Sequence, residues 1–399
     1  MNILYDVSRK IFFHREESLT AVPFARDSFL LSSKGTEDAY TFNIQSDEKR
    51  LSVPLIGIVA SKVQNKYKGN FELFRSIQED IGEQGGMCFV FSPDDAAGDT
   101  IHGIIFNEHV KKWVKCDFPI PNVIYNRIPS WAAEQNIEYT QFKQFIKTHH
   151  IPYFNPHFFN KWEVHQILSQ CSELKDYLPS TALVEDEAGF TNFLERHKKI
   201  YVKPSFASQG RGIRLIEMEA NGTIICKSIK KIEKFTSLSR FLYSYQEWFH
   251  GDQNLIMQKA IPCKTLNDHR YDFRILVLHS GEDFKLMGVG VRISHRQEVT
   301  THVPAGGKII SLKEVATAQT KKEILPIVKS CGRELERAFG YIGEFSVDLA
   351  PREEGGFVLF EVNSKPMTFD EEDIEMKRRW QLVRTFLTLS QQQKKVDRL

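Results

Sequence analysis

The stretch EFSVDLAPREEGGFVLFEVNSKPM, Glu344 to Met367, decides the fold. Two alternating runs flank Glu353-Glu354-Gly355-Gly356, which reads as the turn of a β-hairpin. Side chains on a strand alternate between faces. Glu344, Ser346 and Asp348 therefore share one face of the first strand, opposite Phe345, Val347 and Leu349. On the second strand Phe357, Leu359, Glu361 and Asn363 are expected on one face, opposite Val358, Phe360 and Val362. Antiparallel pairing then sets Asp348 beside Glu361. Carboxylates that close repel unless a cation lies between them. Mg²⁺ suits such a pair, because it takes oxygen ligands, keeps waters and combines one or two carboxylates with substrate phosphates. The spacing alone fits a solvent-facing acidic hairpin as well.

Four further segments carry polar groups onto strands. In IYVKPSFASQGRGIRLIE (200–217), Lys203 ends a strand that enters a loop with Gly210 and Gly212. Such a loop can turn backbone N–H groups toward phosphate, and a lysine adds a point charge. The segment lacks GxxxxGK[ST], so it is not a Walker loop. A strand follows its GxG where a dinucleotide fingerprint needs a helix. An ordinary glycine hairpin remains an alternative. LIMQKAIP (255–262) is an apolar strand closing on Gln258 and Lys259. A purine needs an apolar slot beside main-chain hydrogen-bonding groups, and a strand that stops pairing just after Lys259 supplies both; a plain edge strand is the alternative. Arg274 in YDFRILVL and Arg292 in GVGVRIS lie on strands among apolar neighbours. A guanidinium there either clamps phosphate or carboxylate oxygens bidentately or pairs with a local acid such as Asp272.

The rest of the chain bounds the setting. With 399 residues it exceeds the roughly 250–300 at which single cores stop growing, so two or three domains are expected. A hydrophobic content of 41%, a charged content of 26% and a net charge of +2 describe an ordinary globular protein without a strong field for nucleic acid, a local basic patch being the alternative. The six cysteines show no CxxC or CxH spacing, which argues against a zinc site and for free thiols in a reducing compartment. The early charges in MNILYDVSRKIFFHREE do not fit a signal peptide, and no segment approaches the ~18 apolar residues of a membrane span. A cytoplasmic protein is expected, with no nucleic-acid or membrane partner. Residues 1–50 read as a β-rich segment and 51–155 as a small α/β domain, from LSVPLIGIVAS and MCFVFS strands around a helix at 70–84. CDFPIPNVIYNRI continues as short strands among turns, and EILPIVKSCGRELERAF (323–339) reads as an amphipathic helix.

The order of these elements carries the most weight: Lys161 on a helix, Lys203 with its glycine loop, an apolar strand, two strand arginines, then D…ExN. In this the sequence resembles the ATP-grasp superfamily, and within it the YheC/YheD-type endospore coat-associated proteins. The residues behind the resemblance are VIYNR (123–127), FNKW (159–162), VKPSFASQGRGI, YDFRILVL, GVGVRIS, PAGGKI and FEVNSKP, across about 120–370. It implies an α/β (α+β) fold. Two α+β subdomains grip ATP within residues 156–392, about 180–262 bearing the lid and 263–392 the metal site, after an α/β pre-ATP-grasp domain at 51–155 and a β-rich appendage at 1–50.

The resemblance also implies roles. Lys161 and Lys203 match the lysines on ATP phosphates; Ser208, Gln209, Gly210 and Gly212 match the closing loop. Gln258, Lys259, Ala260 and Ile261 match the strand that holds adenine, and Asp348, Glu361 and Asn363 match the Mg²⁺ ligands, with Mn²⁺ an alternative. Arg292 matches a basic residue near the transferred phosphate, while Asp272 and Arg274 match a DxR element. One departure stands out: TTHVPAGG carries His302 where relatives often have asparagine. The implied activity is ATP-dependent carboxylate–amine or carboxylate–thiol ligation through an acyl phosphate. The other readings are a nucleotide-binding, spore-coat-associated protein that does not ligate, or another ATP phosphotransfer or hydrolysis activity on the same fold.

Overall fold

The computed structural model describes residues 1–34, 38–45, 52–206, 210–249, 254–294 and 299–396, with side chains to 392. It divides into two compact units. One comprises 1–158, 279–281 and 376–399, the other 159–278 and 282–375. Among the described residues no helix is long and apolar enough to cross a membrane.

In the first unit a five-stranded sheet sets Asn2–Asp6 between Ile11–His14 at its centre and Ala39–Asn43 at one edge. A second sheet pairs Leu55–Val59 in parallel with Met87–Phe91 and Val123–Asn126. These strands are buried throughout and apolar but for Asn126, as parallel strands covered on both faces require. Helix Phe71–Glu83 makes the crossover; Asn70 caps it, and it buries Leu73, Phe74, Ile77 and Ile81 as one stripe. One apolar cluster joins Tyr5, Phe12 and Phe42 of the first sheet to Phe89 and Phe118 of the second. CDFPIPNVIYNRI contributes to two strands, as expected of short strands among turns. Lys112–Pro119 closes an antiparallel hairpin with Thr100–Asn107, and Val123–Asn126 starts afresh in the parallel sheet. Pro119 and Pro121 lack the N–H that a continuous ladder needs, so the chain breaks there.

The second unit holds two antiparallel sheets. The order in the first is Thr181–Leu183, Leu255–Lys259, Lys199–Pro204, Arg214–Met218, Ile224–Lys227, Ile232–Phe235. Phe190 and Leu194, from helix Glu187–His197, pack with Ile200, Val202 and Ile216 behind it. The order in the second is Lys308–Ile310, Phe284–Ile293, His269–His279, Glu344–Pro351, Phe357–Asn363. Helix Ala318–Phe339 covers its apolar face with Ile324, Val328, Cys331 and Leu335. That helix starts five residues before the expected Glu323, because Thr317 supplies a capping box. Gly288 in GVGVRIS is needed for close approach, since a Cβ there would collide with Ile374.

Candidate functional site

The acidic hairpin pairs Asp348 with Glu361 and Ser346 with Asn363. The next pair is Leu349 with Leu359, so a β-bulge leaves Phe360 as the extra residue. The bulge corrects the expected alternation. Phe357 and Leu359 do not share the face of Glu361; they join Val347 and Leu349 in the apolar core. Phe360 instead accompanies Glu361 along a cavity lined also by Lys203, Ile261, Asp272 and Asp348. Asn363, two residues beyond Glu361, stays half-buried on the same strand.

Asp348 is 4% exposed. Its Oδ2 accepts from Arg292 Nη2 at 2.9 Å, while its Oδ1 is buried with no partner among the described residues. Arg292 Nε donates to Asp272 Oδ1 at 2.8 Å, and Thr301 Oγ1 donates to Asp272 Oδ2. Burial works against the charged form of Asp348, but Arg292, with His302 and Arg274, holds the carboxyl below its ordinary value. Burial likewise opposes the charge of Arg292, and Asp272 and Asp348 outweigh it. Arg292 Nη1 lies 3.3 Å from His302 Nδ1. Burial and then Arg292 push that imidazole below its usual value, toward the neutral form. Ligand atoms of His302, Asp348 and Glu361 all lie within 4.8 Å of one another.

The expected lysines stand at the same place. Lys161 opens helix Lys161–Ser169, which Asn160 caps through the Trp162 and Glu163 amides; its Nζ is 3.3 Å from Glu361 Oε1. Its backbone N–H donates to Ser205 O at 3.1 Å, tying the helix start to the loop after Lys203. Lys203 is 8% exposed, and its Nζ donates to Gln258 Oε1 at 2.7 Å. Burial pushes its ammonium down to about 8. Gly210 takes φ +71°, and a Cβ there would press on Thr300 and His302 at 3.3–3.4 Å. Ser208 and Gln209 lie outside the described residues.

Pairing at the adenine-type strand runs further than expected. The Ala260 N–H donates to Lys199 O at 3.0 Å and the Lys259 N–H to Ser180 O at 2.8 Å, so both amides are taken. Ile261 is the first residue beyond. Gln258 is buried, and its side chain serves Lys203 and Thr181 rather than the open edge. Arg274 pairs opposite Asp348 in the ladder, donates to Met367 O at 2.9 Å and lies 4.5 Å over the Phe369 ring.

Arg270 was not among the expected residues. It lines the cavity and donates to the Tyr201 hydroxyl. The signal was present: Arg270, Asp272 and Arg274 alternate along one strand and so share a face. A carboxylate pair with one orphaned oxygen, faced by lysine and arginine, can hold a divalent cation and an oligophosphate. The orphan Oδ1 beside Glu361 is the feature that fits such an ion.

A family model for YheC/D-like ATP-grasp matches residues 150–391. The chain is 27% identical over 336 residues to endospore coat-associated protein YheD of Bacillus subtilis (strain 168), covering 78% of this chain and 72% of that one. Among solved structures it is similar to the VanG D-Ala:D-Ser ligase of Enterococcus faecalis, with a TM-score of 0.51, 14% identity and coverage of 85% and 100%. It is also similar to the D-alanine–D-alanine ligase of Bacillus anthracis complexed with ATP, with a TM-score of 0.50, 11% identity and coverage of 86% and 99%. At such identities the structural likeness speaks for the fold, a mixed α+β ATP-grasp architecture.

Proposed function

Because the chain belongs to the YheC/D-like ATP-grasp family, we propose that it is an ATP-dependent ligase joining a carboxylate to an amine or thiol through an acyl phosphate. The observation that carries this reading is the buried, unpartnered Oδ1 of Asp348, opposite Glu361 and close to Lys161, Lys203 and Arg292. Adenine would lie against Ile261 and Phe360. Lys161 and Lys203 would hold phosphate oxygens, and Arg292 the phosphoryl group as it moves. Asp348 and Glu361, with Asn363, would hold Mg²⁺, whose part is to reduce the negative charge of the phosphates. A carboxylate oxygen of the substrate attacks the γ-phosphorus, the bond to the β,γ-bridging oxygen breaks, and ADP leaves. The amine or thiol then adds to the acyl carbon, loses its proton, and phosphate departs. The protein's contribution is mainly position and charge.

A second reading, nucleotide binding without ligation, draws support from His302 and from the coat-associated name of YheD. Spore-coat association belongs to the proposal in either case. The deciding experiment incubates cell extract and ATP with the protein or with an Asp348→Asn/Glu361→Gln variant, and follows products by mass spectrometry. Ligation gives ADP, phosphate and a new amide or thioester that the variant fails to make. ADP and phosphate alone would reduce the protein to a hydrolase, and no ADP to a binder. Calorimetry on the same variant should show Mg²⁺-dependent ATP affinity lower by about 100-fold, the scale of roughly 3 kcal/mol; unchanged affinity would remove the metal assignment.

A further inference from the structure

Loop 299–307 brings an imidazole to the acidic hairpin, and its own chemistry differs from that of an oxygen ligand. His302, Asp348 and Glu361 each place a ligand atom within 4.8 Å of the others. The second observation that points to a cation ligand is Asp348 Oδ1, buried and without a partner among the described residues while Oδ2 serves Arg292. The tautomer follows from the donor inventory. Arginine has no acceptor, so a hydrogen bond from Arg292 Nη1 to His302 Nδ1 requires the lone pair on Nδ1 and the proton on Nε2. At 3.3 Å that bond is long and weak. Arg292 would keep Asp272 and Asp348 if Nδ1 turned to a metal instead.

The loop holds the backbone of His302 in advance. The His302 N–H donates to Thr300 Oγ1 at 3.2 Å, and His302 O accepts from the Ala305 and Gly307 amides at 2.9 and 3.1 Å. A Cβ at Gly307 would collide with the Thr301 carbonyl, so this return of the chain requires glycine there. Thr301 is fastened to Asp272. A ligand whose approach is fixed by its supporting shell loses little freedom on binding.

We propose that His302 is a nitrogen ligand of the metal site, making it a mixed oxygen–nitrogen centre that favours a first-row transition ion such as Mn²⁺ over Mg²⁺. Imidazole raises affinity for such ions, whereas Mg²⁺ holds to oxygen and water. The inference rests on the reading of this hairpin as a nucleotide–metal site.

The test is pulsed EPR on the full chain with Mn²⁺ and ADP. The expected spectrum carries a ¹⁴N modulation that converts to the ¹⁵N pattern in protein labelled with [¹⁵N]histidine. The wild-type spectrum shows by itself whether a histidine nitrogen is bound, so that reading does not depend on a variant folding. In His302→Gln, checked for an unchanged urea midpoint, the nitrogen modulation is lost. The Mn²⁺-to-Mg²⁺ affinity ratio then falls by at least about tenfold. Bound Mn²⁺ without nitrogen coupling overturns the role of His302 and leaves the carboxylate site standing. No bound Mn²⁺ at millimolar concentration overturns both.

Discussion

Asp283 and Asp348 lie in the same unit, and basic side chains hold both. Asp283, in the turn after His269–His279, receives Lys329 Nζ at 2.8 Å on Oδ2, and Arg333 at 3.3 Å on Oδ1 and 3.0 Å on Oδ2. Its side chain is 28% exposed, so solvent reaches it. Asp348 is almost wholly buried, shares Arg292 with Asp272, and leaves one oxygen with nothing to accept. A carboxylate pinned at the surface to the helix Ala318–Phe339 is finished as an ion pair. A buried one with an open valence is costly, since an unsatisfied buried polar group loses its hydration without return. The contrast separates a satisfied ion pair from a buried carboxylate with an unpartnered oxygen, although both are acids between bases.

The sharpest way to break that comparison is to remove a cation from each. Arg292→Met strands Asp272 and Asp348 together in the interior. Losing one partner of a buried pair costs about 3–5 kcal/mol, so urea unfolding should show a drop of that size. Divalent cation should restore part of it in this variant, because a ligand that binds only the folded state stabilises it by mass action. Lys329→Met, at the half-exposed pair, should cost less than about 1 kcal/mol and gain nothing from divalent cation. Equal losses for the two variants would erase the distinction.

Lys203 extends the contrast to the basic side. Lys329 meets a carboxylate near solvent, whereas Lys203 is buried and donates to the neutral amide of Gln258. Burial pushes the Lys203 ammonium down to about 8, and an unfolded lysine keeps its proton to about 10.4. Between these values the folded state binds fewer protons, so this group's contribution to stability rises with pH across that window. A phosphate set beside the nitrogen moves its pKa back up. ATP binding at about pH 8.5 should therefore take up most of a proton at this group, read as a dependence of the calorimetric enthalpy on buffer ionisation. Lys203→Met should abolish the uptake; persistence would mean that another group faces the phosphates.

Parts of this site could be read before the structure, and parts could not, for physical reasons. Asp348 opposite Glu361 followed from strand alternation and one turn, which are local properties. The bulge at Phe360 did not, because an extra residue in a ladder leaves no mark in an alternating pattern. Arg270 was readable from the same period that gave Asp272 and Arg274, but its interest comes from Tyr201, a partner on another sheet. His302 stood out by its identity, while its nearness to the two carboxylates is a long-range fact. The amide of Ala260 was misplaced for a related reason: where a strand stops pairing depends on its neighbour, here Lys199, and not on its own residues.

The smallest effect belongs to Asp283 itself, and it completes the contrast by showing what a finished pair does with pH. Slight burial opposes its charge, yet the bonds from Lys329 and Arg333 hold its carboxyl well below the usual carboxylate range. For an acid with a depressed folded-state pKa, the stabilisation is complete above the unfolded value of about 3.9 and fades as pH falls below it. Asp283→Asn should thus be less stable than the parent at neutral pH. Solvent screening at this exposed position keeps the deficit within about 1 kcal/mol. Urea midpoints taken from neutral pH down to about 2.5 should converge as the carboxyl of the unfolded parent chain takes up its proton. ATP affinity should not change in this variant, because the helix it fastens meets the sheet on the apolar face and the site lies on the other. A deficit that stayed constant in acid would assign the effect to lost packing rather than charge, and a fall in ATP affinity would show that the two acids are not independent after all.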